Sequence, residues 1–195
     1  MFVADAHCDT LYNMAIEKMK PEDVCVTPER MAKGNVCLQT FAMFCSFNRP
    51  DPFQDGMAMK EAYKKLPVRT YNRRLPDEIP TEIGGILSCE GGEMLRGSID
   101  NLRLFDDDVH MRLIALTWNY DNEIATPAYE NAENGLKPFG FELLREMDAR
   151  GICADTSHLN ERGFWDVIDH ARIAPCASHS NCRWLCDKPR NLKKD

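Results

Sequence analysis

Short apolar runs, each ending in polar residues, alternate along this chain with stretches of helical spacing, and that alternation constrains the fold more than any other feature. The runs read as six strands: Phe2 to His7, Cys37 to Cys45, Gly85 to Cys89, Arg112 to Trp118, Gly151 to Thr156 and Ala174 to Ser178. Between them the spacing predicts helices over Asp55 to Leu66, Ile99 to Asp107, Gly140 to Arg150 and Glu161 to Ala171, with helical turns at Leu11 to Lys18 and Glu29 to Lys33. Repeated βαβ order implies an α/β fold with a parallel sheet. Arg69 to Thr81 holds two prolines and several charges and reads as a connector.

A chain of 195 residues is long enough for one domain with a substantial core. Acids outnumber bases 31 to 24, for a net charge of −7, which argues against a nucleic-acid binder and suits a metal or a small polar substrate. No apolar run approaches the ~20 residues that cross a bilayer, and the carboxylate of Asp5 comes too early for a secretory signal, so a cytoplasmic protein without membrane partners is expected. Nine cysteines, scattered and odd in number, read as reduced thiols rather than a disulfide framework.

Parallel α/β folds build their sites at the carboxyl ends of the strands, and four such ends carry polar side chains here. In Asp5-Ala6-His7-Cys8-Asp9, strand alternation puts Asp5, His7 and Asp9 on one face, so that His7 and Asp9 can ligate one metal. Taken alone, such a pair is more often a histidine bonded to a nearby carboxylate. In Cys89-Glu90-Gly91-Gly92-Glu93 a carboxylate precedes two glycines, and its two oxygens can bridge two metals; Glu93 is the competing choice. His158 and His179 end the strands near Asp155-Thr156-Ser157 and Ala177-Ser178. Together the three histidines, Asp9 and Glu90 form a nitrogen and oxygen set suited to zinc, and two zincs sharing a carboxylate form a site for hydrolysis. His110 and His170 fall outside this pattern. Cys8, Cys89, Cys153 and Cys176 lie close to it, and a nucleophilic thiol is the rival to their reading as small core filler.

The ordered set Asp5-Ala6-His7-Cys8-Asp9, Gln39-Thr40-Phe41-Ala42, Glu90-Gly91-Gly92, Leu116-Thr117-Trp118-Asn119, Gly135-Leu136-Lys137-Pro138-Phe139-Gly140, Asp155-Thr156-Ser157-His158 and Ser178-His179-Ser180-Asn181 resembles the membrane (renal) dipeptidase family, among the amidohydrolase-like barrels. The resemblance implies a TIM-like (β/α) barrel, with about six of its eight βα units in this chain. It implies that His7 and Asp9 bind one zinc, that His158 and His179 bind the other, and that Glu90 bridges them at the catalytic centre. A hydroxide between the zincs would attack a dipeptide's scissile carbonyl. Arg190 matches the family arginine that holds the substrate carboxylate, against a reading as part of a basic, solvated chain end. A homodimer is also implied.

Three departures accompany the resemblance. Trp118 stands where the best-known members carry a substrate-binding histidine, and could wall the pocket or belong to the core. The chain stops after the sixth strand and its loop, so a single domain over residues 1–195, truncated relative to the family, is expected. The aspartate of the last strand, which serves in proton transfer, would then lie outside it. The Phe47 to Thr81 segment is shorter than usual. The alternatives are therefore a truncated, inactive or metal-binding-only member, or a related amidohydrolase acting on another amide or ester.

Overall fold

In the computed structural model, which describes residues 3–46, 48–71 and 82–194, the strands form one parallel sheet in the order β1-β2-β4-β5-β6. They are β1 (Val3–Asp5), β2 (Val36–Phe44), β4 (Gly84–Glu90), β5 (Leu113–Ala115) and β6 (Cys153–Asp155). A two-residue strand, β3 (Arg69–Thr70), pairs with the start of β4 at Gly84 and Gly85, within the segment expected to be a connector. The rest of that segment, 72–81, lies outside the described residues.

The helices are α1 (Thr10–Ala15), α2 (Pro28–Lys33), α3 (Pro52–Lys64), α4 (Ile99–Asp106), α5 (Pro138–Arg150) and α6 (Glu161–His170). Their boundaries follow local chemistry. The side chains of Asp51, Ser98 and Asn160 accept from the backbone N–H groups of Gln54, Asn101 and Gly163, satisfying donors that a helix start leaves free. Pro52 and Pro138 occupy first-turn positions, where the missing N–H costs nothing. Gly151 closes α5 in the left-handed conformation at φ 73°.

Every residue of β4 is buried, as expected for a strand flanked by partners and covered by helices, whereas β1 is exposed throughout. Leu102 and Phe105 of α4, Leu143, Leu144 and Met147 of α5 and Val167 of α6 pack with Leu87, Ile114 and Leu116 into one core. The architecture is that of an incomplete (β/α) barrel, the expected α/β class.

The sixth expected strand is reduced to a single bridge. Cys176 pairs with Asp155, its N–H donating to the Ala154 carbonyl and its own carbonyl accepting from Thr156 N–H. The ladder goes no further because the N–H of Ser178 donates to the Asp155 carboxylate at 3.0 Å instead of continuing the pairing. The strand expected over Arg112 to Trp118 is also shorter: β5 ends at Ala115, so Trp118 lies three residues beyond it.

Register lines up one row of residues across the carboxyl ends of these strands. Phe44 pairs with Glu90, Glu90 with Ala115, Ala115 with Asp155 and Asp155 with Cys176. Paired residues in parallel strands share a face, so Phe44, Glu90 and Asp155 look the same way.

Candidate metal centre

Glu90 ends β4 with only 4% of its surface exposed, and three imidazoles meet its carboxylate. His7 Nε2 lies 3.2 Å from Oε2, while His158 Nε2 and His179 Nε2 lie 3.0 and 3.1 Å from Oε1. Asp9 approaches from the rim, its Oδ1 3.4 Å from His7 Nε2 and its side chain half exposed. All five expected ligands therefore converge. Asp5 does not join them; its carboxylate turns back to accept the His7 backbone N–H at 3.1 Å.

Local backbone geometry makes the convergence achievable. Gly91 takes φ 79°, and a Cβ there would stand 2.5 Å from Glu93 Oε2, so the chain can turn sharply after the buried carboxylate only with glycine. His158 is left-handed at φ 72°, a conformation that costs a non-glycine residue about 1–3 kcal/mol. Its carbonyl accepts from Ala128 N–H at 2.8 Å, which helps to hold it there.

The donor set fits a cation. His158 Nδ1 donates to the Asn119 amide oxygen at 2.8 Å, which leaves a neutral ring with its lone pair on Nε2. That lone pair faces both Glu90 Oε1 and the Nε2 of His179, the latter at 2.9 Å. Such a crowd of acceptors repels itself unless a proton or a metal ion lies among them. Ligand atoms of His7, Glu90 and His179 all lie within 4.8 Å of one another, close enough to share an ion.

The electrostatics of the cluster show the same tension. Burial works against a charge on His7, yet Asp9 and Glu90 outweigh it and hold the imidazole up at about 10. Burial likewise opposes ionisation of Glu90, but His158, His179 and His7 hold its carboxyl far below the usual carboxylate range. For His158 burial wins, aided by the positive charge of Arg190, and its pKa falls. Burial pushes the Cys8 thiol up to about 11 and the Cys89 thiol well above its usual range, so neither is poised as a nucleophile.

The two expected substrate-binding residues flank this cluster. Arg190 is half-buried; its Nη2 donates to the His179 carbonyl at 2.8 Å, and its Nε is buried without a partner. It is thus anchored beside the imidazoles rather than solvated with the chain end, and it borders a cavity of about 270 Å³ lined by Thr156, Leu159, Phe164, Trp165 and Arg183. Trp118 packs edge-on to Phe44 at 4.9 Å between ring centroids, and Phe44 meets Tyr12 at 5.1 Å. These rings form an aromatic wall beginning next to Glu90.

Asn119, Ser178 and Asp155 were not singled out from sequence, although each lies in a motif that was. Asn119 meets His158, and Ser178 links His179 to Asp155. The available signal was their position, one residue before His179 for Ser178 and at the end of the same strand as His158 for Asp155. His170 has a separate, local partner: its Nδ1 donates to the Asp166 carbonyl of its own helix at 2.8 Å.

Known proteins resemble this chain in sequence and in fold. An uncharacterized dipeptidase of Schizosaccharomyces pombe is 32% identical over 192 residues, covering 85% of this chain and 46% of that protein. A second uncharacterized dipeptidase from that yeast is 31% identical over 121 residues, covering 61% of this chain and 29% of the relative. The chain spans less than half the length of these curated relatives. Among solved structures, a metallo peptidase from Rhodobacter sphaeroides, liganded with a phosphinate mimic of the dipeptide L-Ala-D-Ala, superposes with a TM-score of 0.83 at 21% identity, over 99% of this chain and 69% of that one. A probable dipeptidase from Pseudomonas aeruginosa gives 0.78 at 16% identity, over 98% and 55%. At such identities the structural likeness speaks for the fold, and none of the described helices is long and apolar enough to cross a membrane. The sequence profile of one family runs along residues 1–195, and by that match the chain belongs to the membrane dipeptidase family, peptidase family M19.

Proposed function

We propose that residues 1–195 form a single metal-dependent hydrolase domain that holds two zinc ions and hydrolyses the peptide bond of dipeptides. The observation that carries this reading is the meeting of three imidazole Nε2 atoms on the two oxygens of one buried carboxylate. His7 and Asp9 would hold one ion and His158 and His179 the other, with Glu90 shared between them; nitrogen and oxygen ligands of this kind suit zinc. When bound, zinc would supply Lewis-acid polarisation of a carbonyl and a water whose pKa falls from about 15.7 to about 7.

The chain's own groups supply the remaining tasks. The guanidinium of Arg190 would pair with the free carboxylate of the dipeptide, a partner that its planar fork matches. Trp118 would shield one side of the reacting bond from water, its indole walling the site together with Phe44. The solved relative with a dipeptide mimic bound supports dipeptides as the substrate class.

Metal analysis and a dipeptide panel test the proposal together. About two zincs per chain and hydrolysis of dipeptides, with D- and L-residues at the carboxyl end compared, are expected. Fewer than one zinc per chain after careful loading would refute the metal site. Two zincs with turnover of other amides or esters, but not of dipeptides, would instead support a related amidohydrolase.

A further inference from the structure

The far nitrogen of His179 meets a chain of side chains that admits only one order of protons. Asp155 is buried, with 3% of its surface exposed, in the same register row as Glu90 and two strands away. Its Oδ1 accepts the backbone N–H groups of Ser157 at 2.9 Å and Ser178 at 3.0 Å. Its Oδ2 accepts the Ser178 hydroxyl. A carboxylate can only accept, so the single proton of that hydroxyl is committed to Asp155. Ser178 Oγ, 2.8 Å from His179 Nδ1, is then an acceptor, and the imidazole proton must lie on Nδ1. Nε2 is left with its lone pair, which faces Glu90 Oε1.

The ring is also fixed in place. The His179 backbone N–H donates to Ser157 Oγ at 3.1 Å, and the His179 carbonyl accepts from Arg190. Ser157 follows Asp155 by two residues, so the hydroxyl that holds the His179 backbone and the carboxylate behind Ser178 both come from the end of β6. His158, by contrast, is steered by the neutral amide of Asn119. Of the two imidazoles on Glu90 Oε1, only His179 is backed by an anion.

We propose that Asp155, acting through the Ser178 hydroxyl, holds His179 in the Nδ1-protonated tautomer and keeps Nε2 free for a cation. Asp155 and Ser178 are positioning residues, since neither is placed to touch the ion or the substrate. The consequence for metal affinity rests on His179 being a zinc ligand, as proposed above. Carboxylates behind ligating histidines orient the ring and raise its basicity, and their loss typically weakens metal binding about 10–100-fold.

Asp155→Asn makes the sharpest test. The amide oxygen would remain on the two backbone N–H groups, which leaves the NH₂ facing Ser178. The hydroxyl would then accept from Asn and donate to His179 Nδ1, driving the ring proton to Nε2. Nitrogen-15 NMR of the histidines in the full, metal-free chain should show His179 protonated on Nδ1 in the wild type and on Nε2 in D155N. Zinc affinity, measured by chelator competition, should fall about 10–100-fold in D155N. Ser178→Ala leaves Asp155 and its backbone bonds intact, so it tests the relay even if D155N folds poorly; it should lose the Nδ1 preference, and Ser178→Thr should restore it. An unchanged His179 tautomer in D155N, or S178A holding zinc as tightly as the wild type, would overturn the proposal. A tautomer that switches in a chain unable to take up zinc would support the relay while refuting the metal reading.

Discussion

His158 and His179 bring their Nε2 atoms to 2.9 Å from each other and share one oxygen of Glu90, at 3.0 and 3.1 Å. The two residues come from different strand ends, and no local sequence contact forces them together. A cation among these atoms turns repulsion between lone pairs into coordination. Zinc should therefore stabilise the chain: at 100 times its dissociation constant a ligand adds about 2.7 kcal/mol. For a chain of this size that is roughly 5–10 °C in melting temperature. Glu90→Gln keeps the shape but removes the charge, and should abolish most of the shift in a thermal melt. An equal shift in E90Q would refute Glu90 as the shared ligand.

Arg190 lies one hydrogen bond from the His179 backbone and carries an unpaired, buried Nε. If it binds the substrate carboxylate, Arg190→Ala should lower kcat/KM for dipeptides about 10–100-fold, as expected for a charged hydrogen bond of about 1.5–3 kcal/mol. Dipeptide amides, which lack the carboxylate, should lose far less. Equal losses on both substrates would mean that the arginine only braces the loop carrying His179.

Trp118 touches Phe44 on one side and Tyr120 on the other, with ring centroids 4.9 and 5.5 Å away. Trp118→Ala opens this wall and should raise KM for dipeptides with apolar side chains by about 2–10-fold, the scale of an aromatic contact worth about 0.5–1.5 kcal/mol. Zinc content should stay unchanged. Steady-state kinetics beside metal analysis separate these effects, and a loss of zinc in W118A would make the indole a structural support of the centre.

Glu93 is the carboxylate that sequence offered as a rival to Glu90, and its environment sets it apart. Burial raises its pKa to about 7 from an ordinary 4.5, with Glu123 and Glu90 adding repulsion and Asn122 opposing. A folded-state value above the unfolded one means that the contribution to stability is full below pH 4.5 and is lost as pH rises through 7. The loss is at most about 3 kcal/mol. Glu93→Gln has no such proton to release, so in urea titrations its stability should gain on that of the wild type across this interval. Parallel pH profiles for the two proteins would contradict the shift.

Much of this was legible in local pattern. The βα alternation, the parallel sheet, the four long helices and the positions of His7, Asp9, Glu90, His158 and His179 at strand ends all follow from periodicity and from where polar residues interrupt it. Helix starts at Asp51, Ser98 and Asn160 are likewise chemistry between residues three apart. The strand expected over Ala174 to Ser178 failed because Asp155, some 23 residues earlier, captures the Ser178 amide, a competition that propensity cannot register.

The sequence by itself determined which residue types would reach the carboxyl edge of the sheet, since alternation within a strand is a local property of the chain. Only the tertiary structure decided that three of those histidines would face one carboxylate, that Arg190 would be anchored beside them, and that Asn119 and the Asp155–Ser178 pair would stand behind two of the rings. Those outcomes depend on the register between strands such as β4 and β6, whose residues 90 and 155 share a row across β5. Register is set by packing over the whole sheet, and no short stretch of the sequence encodes it.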